Sequence, residues 1–285
     1  MGKRSFLRGM KYSVNLSVIV IDGFIALGNV NRLHREKERL SMKNKIRVLT
    51  VKFLQKTKLN KLAHKIYYRY VHGFNTATKD LLPALEKVFA KAKDLGSFEN
   101  ANYYEFGVFK GYAFWYAYKT AQKYNFTQMK FFGFDSFQGL PKVEGIDQTK
   151  EDVFYEGQYS CSKEAVINNL DSQGIDWEKA LLIDGFFEDS LNEKTKEEYS
   201  LARTGIALID CDLYSSTVSV LNFLRDLLMD NTLIIFDDWN CFDGDDEKGQ
   251  RKAFKEFLAE NSNLSAESLF SYGAYGQVFL VQKKA

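Results

Sequence analysis

Four aspartates stand in two short runs: Asp210 and Asp212 in ALIDCDLYSS, and Asp237 and Asp238 in TLIIFDDW. Each run follows a few apolar residues, the pattern of a carboxylate carried at the end of a buried strand. Two adjacent strand ends would bring three or four carboxylates together. Carboxylates that close repel unless a cation sits between them. The expectation is a divalent metal at the rim of a sheet, where α/β proteins hold their ligands. The plainer alternative is that Asp210, Asp237 and Asp238 cap helices without a metal.

Two further constellations lie upstream. YYEFGVFKGY places Glu105 before a turn with Gly107 and Gly111. Glycines there let a ligand approach the backbone and let the chain turn into a helix. The turn is not GxGxxG, because Phe109 occupies the place of the glycine that meets a pyrophosphate. A cofactor without a pyrophosphate fits better. FFGFDSF then puts Asp135 at the next strand tip, where an acid accepts hydrogen bonds from ribose hydroxyls. Asp184, in the Asp-Gly-Phe-Phe run after a third strand, is placed to border an adenine ring.

The three histidines, His34, His64 and His72, all fall within residues 1–72. Unless that region reaches the site, a general base there is a carboxylate, a Lys, a Tyr or water. Asp212 and Tyr214 are the nearest candidates in sequence.

The elements that must position these residues alternate. Leu81, Leu82, Leu85, Val88, Phe89 and Ala92 fall at helical spacing, with Pro83 placing the start near Leu82. Strands are expected at 103–108, 130–135, 181–183, 205–210 and 232–237. Helices follow through Tyr124 and over 162–174, 195–200, 216–229 and 249–261. A hairpin of strands near 269–272 and 277–281 closes the chain. This order predicts a mostly parallel, doubly wound α/β sheet with one antiparallel strand near its end. The stretch 138–160 is long for a structureless loop and reads as a lid or a missed helix.

The chain has 285 residues, enough for one large core with an extension. Its formal charge of +2 hides a split. Residues 1–72 carry 17 Lys+Arg against 3 Asp+Glu, and the remainder 22 against 34. A boundary is therefore expected between a basic, helical N-terminal extension (1–72) and a catalytic domain (73–285). The extension is expected to pack on that domain or on a second subunit in a homo-oligomer. The alternative is docking to an anionic membrane or glycan. Nucleic acid is disfavoured, since no binding motif accompanies the charge. The apolar segment 12–30 is interrupted by Asp22, which argues against a cleaved signal or a span. Cys161, Cys211 and Cys241 are odd in number and lack metal-ligand spacing, consistent with a reduced, cytoplasmic protein.

The ordered motifs EFGVFKG, GFDSFQGLP, Gly-Phe-Phe-Glu-Asp-Ser-Leu, IDCDLYSST and IIFDDW resemble the macrocin O-methyltransferase (TylF/MycF-type) family. The resemblance runs over about residues 76–281. It implies a Rossmann-like class I methyltransferase fold, with seven strands and a helical N-terminal extension. It further implies an S-adenosylmethionine-dependent, Mg²⁺-dependent O-methyltransferase of a sugar hydroxyl, in a secondary metabolite or a surface glycan. By position, it puts adenosylmethionine on Glu105, Gly107, Gly111, Asp135 and Ser136, and Mg²⁺ on Asp210, Asp237 and Asp238. Asp210 and Asp212 are then the catalytic candidates, Asp212 as a neighbour of the ligands or as the base. The chain departs from the family at Met229-Asp230-Asn231, at Trp239 and over the acidic segment 240–249, so the acceptor is least specified. The rival readings are a metal-dependent methyltransferase of catechol-like hydroxyls and a non-catalytic adenosylmethionine-binding protein.

Overall fold

The computed structural model describes residues 73–77, 80–98, 100–148 and 154–284. The expectations for the basic region 1–72, including segment 12–30, lie outside the described residues. Among the described residues no helix is long and apolar enough to cross a membrane.

Helix α1 (Leu81–Leu95) precedes strand β1 (Asn102–Phe106) and α2 (Tyr112–Lys123). Then come β2 (Phe131–Asp135), a 3₁₀ turn (Gly145–Asp147), α3 (Lys163–Ser172) and β3 (Ala180–Asp184). Two short helices, α4 (Phe187–Ser190) and α5 (Glu193–Glu198), lead to β4 (Thr204–Ile209) and α6 (Tyr214–Leu224). Strand β5 (Leu228–Phe236), α7 (Gly249–Glu260), β6 (Leu264–Tyr272) and β7 (Gly276–Lys283) complete the order.

The seven strands form one sheet in the order β3-β2-β1-β4-β5-β7-β6. The first five are parallel neighbours, and β7 runs antiparallel to both β5 and β6. This is the mostly parallel, doubly wound sheet the alternation predicts. Its strands are apolar on both faces because each face is covered. Tyr103 packs with α1, α2 and α3 on one side, whereas Tyr104 and Phe106 pack with α6 and α7 on the other. Glu105 shares the Tyr103 face, two residues along the strand.

Local chemistry sets several boundaries. Pro83 sits in the first turn of α1, where its missing N–H has no intrahelical partner to lose. Ser162 caps α3 by accepting from the Ala165 N–H. One expectation fails: the apolar run to Met229 does not continue α6, which ends at Leu224. Strand β4 claims that backbone instead, since the Thr204 N–H donates to the Leu227 carbonyl at 2.8 Å. Strand β5 therefore begins at Leu228, earlier than the periodicity suggests. Tertiary pairing overrides helical spacing here.

The sheet order reverses between β1 and β4, the centre of the sheet. A crevice opens at such a switch point, beyond the carboxyl ends of the strands. The glycine turn leaves β1 there, and Asp210 leaves β4.

Candidate active site

Asp210 and Asp237 are adjacent strand-end residues. Ile209 pairs with Phe236, the Asp210 N–H donates to the Phe106 carbonyl, and the Asp237 N–H donates to the Ile209 carbonyl. The register alone therefore brings the two carboxylates together. Asp238, one residue on, turns inward and is 7% exposed. One oxygen from each of Asp210, Asp237 and Asp238 lies within 4.8 Å of the other two. Ligands at about 2.0–2.6 Å from one hard cation lie up to about 4–5 Å apart across it. The three carboxylates thus fit one divalent ion, and among the described residues they are the one such cluster of acids, histidines or cysteines.

The electrostatics agree. Burial, and then the charges of Asp237, Asp238, Asp212 and Glu105, push the Asp210 carboxyl well above the ordinary range. Burial and Asp237 push Asp238 up to about 7. Burial also raises Asp237, against the opposing hydrogen bond from Tyr272. Without a cation the cluster resists full ionisation.

The surroundings orient these acids. The Asp238 N–H donates to Gln250 Oε1, and Gln250 Nε2 donates to the Ile209 carbonyl, so one buried amide ties the ends of β4 and β5 to α7. The Tyr272 hydroxyl donates to Asp237 Oδ1 at 2.8 Å. Asp238 accepts from the Asp212 N–H at 3.0 Å and from the Cys241 thiol at 3.3 Å. The sequence marks neither Gln250 nor Tyr272, and marks Cys241 only as a cysteine without metal-ligand spacing. Asp212 stands outside the three-carboxylate set, in a left-handed conformation (φ 59°), with its own carboxyl raised by burial and by Asp238 and Asp237. The Tyr214 hydroxyl donates to Glu256 on α7 at 2.7 Å, which occupies it as a base candidate.

The glycine turn faces this cluster across the crevice. At Gly107 (φ 93°) a Cβ would lie 1.8 Å from the Asp210 carbonyl oxygen, so only glycine lets β1 and β4 end side by side. Gly111 begins α2 in the left-handed region, with Leu170 and Val166 of α3 close against it. Asp135 also holds the turn in shape. Its Oδ2 accepts from the Val108 and Phe109 N–H groups, and its Oδ1 from the Phe137 N–H, at 2.7–2.8 Å. These bonds hold Phe109 at φ 50°, where the sequence pattern would otherwise want glycine. Ser136 donates to the Gly139 carbonyl and accepts from the Gln138 N–H, inside the next turn. Asp184 pairs in register with Asp135 at the tip of β3 and is exposed. Glu105 is wholly buried; its Oε2 accepts from the Tyr103 hydroxyl at 2.6 Å, and its Oε1 has no hydrogen-bond partner.

The described part of 138–160 is not a loose loop. Leu140 and Gly157 N–H groups donate to the Gln158 and Leu140 carbonyls, and Phe109 meets Tyr159 at 5.8 Å. Asp147, 3% exposed, accepts from the Tyr214 and Ser215 N–H groups. It caps α6, whose own N-cap residue is Leu213 and offers no acceptor. Sequence reading missed this cap because helix caps are sought next to the helix, not 67 residues upstream.

The sequence model described as macrocin-O-methyltransferase (TylF) matches residues 82–267. The chain belongs to the macrocin-O-methyltransferase family. It is therefore an S-adenosylmethionine-dependent O-methyltransferase. Among solved structures, the O-methyltransferase NovP is 21% identical, with a TM-score of 0.58, covering 71% of this chain and 80% of its own. The calicheamicin methyltransferase CalS11 is 16% identical, with a TM-score of 0.55, covering 88% of this chain and 94% of its own. Both share the fold. No curated protein sequence matches the chain. In this macrocin-O-methyltransferase family member the cofactor fits the crevice on physical grounds: a glycine turn admits close approach, and a buried carboxylate oxygen beneath it lacks a partner.

Proposed function

We propose that the chain transfers the methyl group of adenosylmethionine to a sugar hydroxyl with the help of Mg²⁺ held by Asp210, Asp237 and Asp238. The meeting of these three carboxylates within 4.8 Å, one strand away from the glycine turn, carries this reading. A hard divalent cation there supplies Lewis acidity that lowers the pKa of a nearby hydroxyl and fixes its direction. The protein's own residues do the rest. Glu105, Gly107, Gly111, Asp135, Ser136 and Asp184 line or shape the donor's place. Asp212, adjacent to the ligands, takes the proton of the acceptor hydroxyl when it stands as a carboxylate. As that O–H breaks, the oxygen attacks the methyl carbon in line, the C–S bond breaks, and sulfur keeps the pair as the neutral thioether of adenosylhomocysteine. Holding two reactants in line contributes up to about 7–11 kcal/mol.

A sugar acceptor is supported by the kind of relative the fold resembles; one such structure is described as a TDP-rhamnose 3′-O-methyltransferase, at 16% identity. The basic balance of residues 1–72 supports a separate extension ahead of the catalytic domain (73–285), used for peripheral contact with an anionic membrane or glycan.

The test is methyl transfer from labelled adenosylmethionine to a panel of nucleotide sugars and catechols, with Mg²⁺ and with excess EDTA. Transfer to sugars that EDTA abolishes is expected. Turnover undiminished by EDTA removes the metal, and transfer to catechols alone removes the sugar.

A further inference from the structure

Tyr272 is held against the aspartate cluster by more structure than the packing of a ring requires. It ends β6, Asp237 follows β5, and β7 lies between the two strands. The Tyr272 side chain therefore crosses β7 to donate to Asp237 Oδ1 at 2.8 Å, and it comes no nearer than 3.4 Å to the Phe236 carbonyl. Gly276, its partner in the β6–β7 pair, leaves room for the crossing, because a Cβ there would collide with the Tyr272 ring. One extra residue, Leu269, interrupts the same pairing between Ser268 and Phe270. A bulge of this kind re-aims the side chains that follow it. Gln277 fastens the bulge: its Nε2 donates to Ser268 Oγ and to the Phe270 carbonyl at 3.0 Å, and its Oε1 accepts from the Ser271 hydroxyl. The hairpin tip is tied as well, since the Asn240 N–H donates to the Tyr275 carbonyl two residues beyond Asp238.

A phenylalanine would fill the same space, so these features serve the hydroxyl. Three carboxylates within 4.8 Å of one another repel and tend to turn apart. A donor behind one of them fixes its plane and occupies one of its lone pairs. Asp238 is held in this way by the Asp212 N–H and the Cys241 thiol, and Asp237 by Tyr272. Cations differ in what they ask of a carboxylate. Mg²⁺ demands a near-octahedral set of ligands, whereas the larger Ca²⁺ accepts a flexible shell and takes a carboxylate through one oxygen or both. An Asp237 free to turn could offer both.

We propose that Tyr272 is a positioning residue of the metal site: its hydroxyl presents Asp237 through a single oxygen, and so favours Mg²⁺ over Ca²⁺. Gly276 and the bulge at Leu269 act through that hydroxyl, by letting the ring reach. The inference rests on Asp210, Asp237 and Asp238 being Mg²⁺ ligands, and adds what sets their choice of ion.

The experiment measures metal binding on the full chain without acceptor or turnover. Mn²⁺ is titrated and the free ion is read by paramagnetic resonance; Mg²⁺ and Ca²⁺ then compete with it. Adenosylhomocysteine affinity is measured alongside by calorimetry. Tyr272→Phe is expected to weaken Mn²⁺ and Mg²⁺ about tenfold, the low end for a partner behind a metal ligand. Ca²⁺ should weaken less, so the preference between the two ions narrows, and adenosylhomocysteine should stay within about twofold. Gly276→Ala should reproduce the loss of Mg²⁺, and should add nothing to it in the Tyr272→Phe background, because both act through one hydroxyl. Unchanged Mn²⁺ binding in Tyr272→Phe would overturn the proposal. So would equal losses for Mg²⁺ and Ca²⁺, or a matching loss of adenosylhomocysteine, which would leave Tyr272 a support of the fold. If the unaltered protein binds no Mn²⁺, the metal reading itself fails and takes this inference with it.

Discussion

The two halves of the crevice use aspartate in opposite ways. On the β1–β2 side, Asp135 has both oxygens filled by backbone N–H groups and holds a turn in shape. On the β4–β5 side, Asp210, Asp237 and Asp238 are driven against one another. The first carboxylate has backbone N–H donors on both oxygens, and the second group is three carboxylates crowded within 4.8 Å of one another. A strand-end acid is thus architecture or site according to where its lone pairs go, not according to where it falls in the sequence.

The sharpest break of this comparison is at the close approach joining the two halves. Gly107→Ala drives a Cβ to 1.8 Å from the Asp210 carbonyl. It is expected to separate the ends of β1 and β4 and abolish soluble, cooperatively melting protein, read by expression and thermal unfolding; an Ala variant with unchanged Tm would sink the account of the switch point.

Next comes Asp238→Asn. It is expected to cut turnover about 10³-fold, the several kcal/mol that a held cation supplies. In metal-free buffer it should leave Tm unchanged or raise it, because one repelling carboxylate is gone. Asp135→Asn should do the reverse to stability. It strands at least one buried N–H, costing about 1–3 kcal/mol and lowering Tm in any buffer. If Asp135→Asn melts like the unaltered protein while Asp238→Asn melts lower, the division between the two sides is wrong.

A smaller effect is expected from pH. Glu105 at about 8 and Asp238 at about 7 bind protons more tightly folded than unfolded. Raised carboxyls of this kind stabilise the folded chain at low pH, and that stability is lost as pH rises through the interval between ordinary and raised values. The ligand-free protein should therefore lose Tm between about pH 5 and 8. Mg²⁺ with adenosylhomocysteine should flatten the decline; an equally steep loss with both present would count against cation and donor together.

Smallest is Asp147→Ala, which removes the distant cap of α6 at about 0.5–2 kcal/mol. Tm should fall slightly, and proteolysis after Lys142 should accelerate as the segment detaches.

Much of this was legible before folding. The strand tips that carry Glu105, Asp135, Asp210 and Asp237 were visible as apolar runs ending in acids, because a strand buried on both faces must be apolar until it leaves the sheet. The family motifs placed the enzyme class. What stayed hidden depended on distant pairing. Helix α6 stops at Leu224 because β4 takes the backbone of Leu227. Asp135 binds the Val108, Phe109 and Phe137 N–H groups, bonds that no local pattern announces. Gln250, Tyr272 and Asp147 reach their partners across 12 to 67 residues.

The sequence by itself determined the α/β class, the acids at the strand ends and the membership in an O-methyltransferase family. Those follow from local periodicity and from short motifs, which need no third dimension. Only the tertiary structure decided which acids share a cation-sized space, which one is spent on holding a turn, and which oxygen is left open. These depend on register, on a backbone approach that glycine alone permits, and on hydrogen bonds between segments far apart in the chain.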